Sequence, residues 1–196
     1  MRRTDIINHL IDFYGYKTYL EIGTQSNKNF DAIRAQKEGV DPDIKAGATH
    51  CMTSDRFFMK EAKGRKWDIF FVDGLHHSDQ VLRDIHYCLK HMNEGGAIVC
   101  HDMNPQKEIE QRVPRETKRW NGDCWKALVK LRQERDDLDV YTVDADEGCA
   151  VIRYGNGEPM LGNVELTYEN LDNNRERLLN LISVDEFLTK VKKKKS

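Results

Sequence analysis

The stretch that decides the fold runs from Lys66 to Pro105: KWDIFFVDGLHHSDQVLRDIHYCLKHMNEGGAIVCHDMNP. Two apolar runs, 69–72 (IFFV) and 97–100 (AIVC), each end in a tip that carries an acid. The first tip is Asp73-Gly74-Leu75-His76-His77 and the second is His101-Asp102-Met103-Asn104. A helical segment and a Glu94-Gly95-Gly96 turn lie between them, so the stretch reads as one βαβ unit. Uninterrupted apolar runs suit strands buried on both faces of a parallel sheet. Parallel neighbours present their C-terminal ends on the same side, and ligands of such sheets bind in the crevice outside those ends. The pattern therefore carries two carboxylates and up to three imidazoles to one rim.

Upstream, Thr4 is a candidate cap for a first helix with Ile6, Ile7, Leu10 and Ile11 on one face. A strand over 18–22 ends at Gly23, and the small polar residues 24–29 lead into a helix over 30–36. A brief strand over 39–42 has an acid at its tip and is stopped by proline. A weak third strand covers 48–52, and Thr53 or Ser54 caps a helix over 56–62. Downstream of Pro105, a charged stretch reaches Asn121, and Gly122-Asp123 opens a helix over 124–132. Strands over 140–143 and 150–154, joined by a tight turn, predict an antiparallel hairpin closing the sheet edge. A loop with Gly155, Gly157, Pro159 and Gly162 leads to a helix over 171–181. Ser183-Val184-Asp185-Glu186 is a capping box for a last helix over 187–191. The C-terminal helices together fall within 168–191, and the Lys-rich tail 192–196 is expected to be disordered. With no repeat and no dividing linker, residues 1–196 read as one α/β domain: a doubly wound, mostly parallel sheet with an antiparallel edge hairpin.

Composition narrows the function classes. The 196 residues suffice for one domain with a proper core. With 33% charged residues and a net charge of -2, the body has no general electrostatic appetite for nucleic acid. No apolar run approaches the ~20 residues a membrane span needs. The N-terminal MRRTDIINHLIDFYGY lacks a signal-peptide core and reads as an amphipathic helix. Five dispersed cysteines with no CxxC fit reduced thiols in the cytoplasm, with Cys51 and Cys100 as small core residues. Monomer and homodimer both remain open.

Two features near the N-terminus point to a ligand. A strand turning through Gly23 into a helix start brings backbone N–H groups close to bound polar groups. Gln25 and Lys28 stand where the dinucleotide fingerprint has its other glycines, so the turn alone is equally an ordinary βα connection. Asp41, at the second strand tip about 20 residues on, is where a ribose diol is held in nucleotide-binding folds; the simpler reading is a cap on the turn before Pro42. Taken together they favour an adenosine-containing ligand.

At the rim, Asp73 and Asp102 converge with no lysine beside them and would repel each other, which a hard divalent cation resolves. His76, three residues after Asp73, can reach the same crevice as a general base near neutral pH. His77 reads as a helix cap or a solvent-facing residue, His86 and His91 as structural, and His9 and His50 carry no signal. His101 and Asp102 are adjacent, so both serve the site only if the strand ends at Cys100. Trp120-Asn121-Gly122-Asp123-Cys124-Trp125-Lys126 fits either a lid or plain helix-to-sheet packing.

Taken in order, YLEIGTQSN, GVDPD, TSDRFF, WDIFFVDGLHHSDQVLRDI and GGAIVCHDMNP resemble class I S-adenosylmethionine-dependent methyltransferases over roughly residues 5–155. They are most similar to the metal-assisted O-methyltransferases, including the catechol type and the type acting on sugars of natural products. The resemblance implies a seven-stranded Rossmann-like fold. It places Glu21 and Gly23 along the methionine and sugar of the cofactor, with Asp73 also facing it. Asp41 would take the ribose hydroxyls, and Ser54 and Asp55 would border the adenine. Asp73 with His101 and Asp102 corresponds to the metal triad, and His76 stands where the catechol type has its general-base lysine. The chain departs from the pattern at Gln25, for a glycine, and at His101, for an acid.

The activity implied is transfer of a methyl group from S-adenosylmethionine to a hydroxyl of a sugar, glycan or small molecule. Oxygen ligands favour Mg²⁺ or Mn²⁺, and a histidine ligand tilts toward Mn²⁺. Arg112, Arg115 and the two tryptophans lie on the stretch best placed to cover the acceptor. The alternatives are a protein that binds the cofactor without chemistry, which Gln25 and His101 favour, or a related metal-dependent enzyme of another reaction class. A nicotinamide enzyme is disfavoured by the missing glycines.

Overall fold

The computed structural model describes residues 1–155 and 161–192. Gly157, Pro159 and the tail from 193 onward lie outside the described residues. Along the chain come α1 (Arg3–Tyr14), β1 (Thr18–Ile22), α2 (Lys28–Ala32), β2 (Gln36–Val40), α3 (Ser54–Lys60), β3 (Trp67–Val72) and α4 (Ser78–Lys90). After them come β4 (Met92–Cys100), α5 (Cys124–Glu134), β5 (Leu138–Val143), β6 (Cys149–Tyr154), α6 (Tyr168–Leu179), β7 (Leu181–Ile182) and α7 (Val184–Lys190). One seven-stranded sheet has the order β2-β1-β3-β4-β6-β5-β7. β1 to β4 are parallel neighbours, β6 runs antiparallel between β4 and β5, and β7 pairs parallel with β5.

The two faces of the sheet follow from the two-residue period of a strand. Leu20, Ile22, Phe70, Val72, Ile98 and Cys100 point to one side, where they pack with Val81, Ile85, Leu128 and Trp125. Tyr19, Ile69, Phe71, Ala97 and Val99 point to the other, against Ile6, Ile7 and Leu10 of α1 and Phe187 of α7. These side chains are fully or almost fully buried, worth about 1.5–3 kcal/mol for each large one. Covering both faces is what forces the uninterrupted apolar runs of β3 and β4.

Several elements differ from the sequence expectation. The seventh strand is β7, and residues 48–52 make only a single bridge, Val40 to His50. Cys51 is consequently exposed, whereas Cys100 is in the core; all five cysteines are unpaired. α2 stops at Ala32 because Gln36 onward is drawn into the ladder with β1, starting at Thr18↔Gln36. The expected Glu94–Gly96 turn is the irregular start of β4, where the register against β3 shifts and Gly95 takes φ +75°. The first helix begins at Arg3, with Asp5 accepting from the Arg2 N–H at 2.9 Å, while Thr4 instead donates its hydroxyl to Asn29. That one-turn detail places Arg3 at the C-terminal rim of the sheet.

Candidate active site

A cavity of about 730 Å³ opens at that rim. Gly23, Gln25, Asp41, Ser54 and Asp55 line one part of it, and Asp73, His76, His101, Asp102 and Trp120 line another. Gly23, at φ +87°, lies so close to the β3 tip that a Cβ would sit 2.2 Å from the carbonyl oxygen of Asp73. No other residue permits that approach, so the glycine turn is built into the wall of the acidic cluster.

On the glycine side, Asp41 is almost buried and holds the turn together. Its Oδ2 accepts from the Gln25 N–H at 2.9 Å and its Oδ1 from the Asp43 N–H at 2.8 Å. Each carboxylate oxygen keeps acceptor capacity for a ligand hydroxyl. Gln25 takes the left-handed conformation at φ +46°, so the departure from glycine preserves the shape of the turn. Ser54, at the start of α3, accepts from Gln80 Nε2 at 3.2 Å, and Asp55 faces Arg83 at 3.1 Å. Glu21 is placed differently from the sequence expectation. It does not line the cavity; it lies beneath, on the α1 face, accepting from the Tyr19 hydroxyl and from Asn29 Nδ2 at 3.0 Å. Burial pushes its carboxyl up to about 7.

On the acidic side, β4 ends at Cys100, which is what both His101 and Asp102 require to serve one site. Asp102 takes a left-handed φ of +61°, a conformation that aspartate tolerates, and the chain turns out of the ladder there. Asp73 Oδ1 and Asp102 Oδ2 each lie 3.4 Å from His76 Nε2. These three side chains are the one group among the described residues whose ligand atoms all fall within 4.8 Å of one another. His101 is set behind them, its ring 2% exposed, with Nδ1 3.5 Å from Asp73 and 3.0 Å from Asp102, and Nε2 3.9 Å from Asp146. Asp73 Oδ1 and Asp102 Oδ2 thus face both imidazoles, His76 through Nε2 and His101 through Nδ1.

The electrostatics also differ from the expectation of two unbalanced acids. Arg3 donates from Nη1 to Asp73 Oδ2 at 2.7 Å and from Nε to Asp146 Oδ2 at 2.9 Å. His101 is buried, which by itself disfavours the charged ring, but Asp73, Asp102 and Asp146 around it raise its pKa well above the usual value. His76 follows the same balance: burial lowers its pKa, Asp73 and Asp102 raise it, and the net shift is upward. Against the cost of burial, His101, His76 and Arg3 hold the Asp73 carboxyl well below the usual range. Arg3 and the imidazoles therefore relieve the repulsion that the sequence alone assigned to a cation. Arg3 reaches Asp73 across 70 residues and Asp146 across 143, with no local signal.

The residues still fit a divalent cation. Two carboxylate oxygens and one imidazole nitrogen converge, and His76 Nδ1 is buried without a hydrogen-bond partner. An oxygen-and-imidazole set suits Mn²⁺ and similar ions. Over the mouth, Trp120 stacks on His76 with ring centres 5.0 Å apart, and Arg115 and Arg119 line the cavity. Trp125 belongs instead to the core, and Arg112 points away into ion pairs with Glu108 and Glu116. His77 is exposed at the N-terminus of α4.

Residues 11–103, just under half of the chain, match the family model described as a methyltransferase domain. No curated protein matches. Among solved structures, the chain is similar to an O-methyltransferase from Bacillus cereus in complex with S-adenosylhomocysteine. The two share 11% identity and a TM-score of 0.59, over 78% of this chain and 80% of that one. It is also similar to the O-methyltransferase TomG of Streptomyces achromogenes with S-adenosylmethionine, at 13% identity and a TM-score of 0.55, over 76% and 78%. The methyltransferase PaMTH1 of Podospora anserina, bound to S-adenosylhomocysteine, gives 19% identity and a TM-score of 0.53, over 76% of each chain. The family match covers residues 11–103, and the solved structures share the fold of this chain. Among the described residues no helix is long and apolar enough to cross a membrane.

Proposed function

We propose that this chain is a class I S-adenosylmethionine-dependent methyltransferase that methylates a hydroxyl oxygen of a saccharide or other small molecule, with a divalent cation in the acidic part of the cavity. One observation carries the reading. Asp73 Oδ1 and Asp102 Oδ2 converge on His76 Nε2 at 3.4 Å in the same cavity that Gly23, Asp41 and Ser54 line.

Asp41 accepts from the ribose hydroxyls, Ser54 and Asp55 border the adenine, and Gly23 lets the cofactor approach the backbone. Glu21 acts at one remove, through the turn that Asn29 anchors. When bound, S-adenosylmethionine supplies an electrophilic methyl group and the cation lowers the pKa of the acceptor hydroxyl. Asp73 and Asp102 would hold the cation, beside the part of the cavity where the acceptor hydroxyl would bind. The same two carboxylates raise the proton affinity of His76. His76 in its neutral form would accept the hydroxyl proton. The face of Trp120 and the guanidinium of Arg115 over the mouth suit a saccharide, which combines apolar ring faces with hydroxyl acceptors.

The 4.8 Å cluster favours a second reading, with His76 as the third ligand. Labelled-methyl transfer to a panel of saccharides and phenols, with and without chelator, tests the main proposal. Product that appears at equal rates in chelator contradicts it. His76→Ala separates the two roles. As base, its loss lowers turnover by about 10²-fold or more, partly recovered at high pH, with Mn²⁺ affinity unchanged. As ligand, its loss weakens Mn²⁺ binding as well.

A further inference from the structure

The residues Trp120, Asn121, Gly122 and Asp123 all close on the segments that carry the acidic cluster. Trp120 stacks on His76. Asn121, fully buried, donates from Nδ2 to Asp102 Oδ1 at 2.8 Å. Gly122, at φ +63°, passes so near His76 that a Cβ would lie 2.0 Å from its carbonyl oxygen. Asp123 accepts from the Ser78 N–H at 2.7 Å and from its hydroxyl at 3.1 Å, fixing the start of α4 two residues after His76.

The two cluster carboxylates are held in matching ways. Asp73 commits Oδ2 to Arg3 at 2.7 Å and turns Oδ1 toward His76. Asp102 commits Oδ1 to Asn121 and turns Oδ2 toward His101 Nδ1 at 3.0 Å and toward the same His76 nitrogen at 3.4 Å. A carboxylate free to rotate would offer either oxygen or both. One fixed by an outside donor offers a single oxygen in a set direction.

We infer that residues 120–123 form a clamp on the site and that Asn121 is a positioning residue, holding Asp102 so that Oδ2 alone is presented to a divalent cation. The inference rests on Asp73 and Asp102 being the cation's carboxylates. An amide suits the role because it donates without adding a positive charge that would repel the ion. Loss of such an outer partner of a metal ligand costs about 10–100-fold in metal affinity.

The test uses the full chain and Mn²⁺ alone, with free Mn²⁺ counted by electron paramagnetic resonance. S-adenosylhomocysteine affinity and the thermal midpoint are followed in parallel. Asn121→Ala and Asn121→Leu both lack the donor but differ in the space they fill. Both are expected to weaken Mn²⁺ binding about 10–100-fold with cofactor affinity unchanged. Mn²⁺ affinity indistinguishable from that of the unmodified chain in either variant overturns the inference. A readout that needs no variant is the side-chain amide signal of Asn121 in the unmodified chain. It is expected to shift on titration with Mg²⁺, and a signal that stays fixed to saturation overturns the inference. If the unmodified chain and Asp73→Asn bind Mn²⁺ equally, the cation reading itself fails. If they differ while the Asn121 variants match the unmodified chain, only the clamp fails.

Discussion

The glycine-turn end of the cavity and its acidic end are built by different means. Around Gly23 and Asp41, the wall is made of turns that directly follow their strands, and the polar contacts run to nearby backbone, as from Asp41 to Gln25 and Asp43. Around Asp73 and Asp102, the contacts are side chain to side chain and mostly between residues apart in sequence: Arg3 to Asp73, Asn121 to Asp102, and His101 to Asp146. The first end is a shape that one residue can loosen. The second is a balance of charges in a poorly hydrated place, where removing one member leaves another uncompensated.

The strongest test of that contrast is Asp73→Ala. It should lower turnover by about 10³-fold or more while cofactor affinity is largely retained, measured by initial rates and calorimetry side by side. Unchanged turnover would remove the acidic end from the chemistry.

Next in size is a comparison of two buried acids. Asp73 is surrounded by cations and its pKa is lowered; Glu21 has hydroxyl and amide partners instead, and burial raises its pKa from 4.5 to about 7. For Glu21 the folded state binds the proton more tightly than the unfolded chain does. Its stabilising contribution is therefore complete below about pH 4.5 and is lost as pH rises through 7. The loss is at most about 3 kcal/mol. Glu21→Gln should accordingly be more stable than the unmodified chain at pH 8 and indistinguishable from it near pH 4.5, read from denaturant midpoints. A constant difference across that range would contradict the assignment.

The smallest effect belongs to the glycine-turn end. If Asp41 holds the ribose hydroxyls as proposed, Asp41→Ala should raise the KM for S-adenosylmethionine about 10-fold, with kcat at saturation little changed. A drop in kcat of the same size would mean that the two ends are coupled more tightly than their separate construction implies.

The same contrast explains what the sequence disclosed. Apolar runs closed by Asp73 and by His101-Asp102 marked parallel strands and their rim, because a strand buried on both faces has few other compositions. Gly23 and Asp41 were legible because each follows its strand at a fixed spacing. Arg3, Asn121 and Asp146 were not, since nothing local distinguishes a helix-terminal arginine, a loop asparagine or a turn aspartate until the chain folds. Strand β7 and the bridge at His50 escaped for a related reason: such short pairings are decided by the neighbouring strand and not by their own residues. Trp120 and Trp125, five positions apart in one motif, took opposite roles, at the cavity and in the core.

The most direct test of the central claim is calorimetric titration of the full chain with S-adenosylhomocysteine, without and then with Mn²⁺. Saturable heat for one site per chain is expected, with a second, separate Mn²⁺ site that Asp73→Asn removes without abolishing the first. No saturable heat from S-adenosylhomocysteine under either condition would contradict the claim.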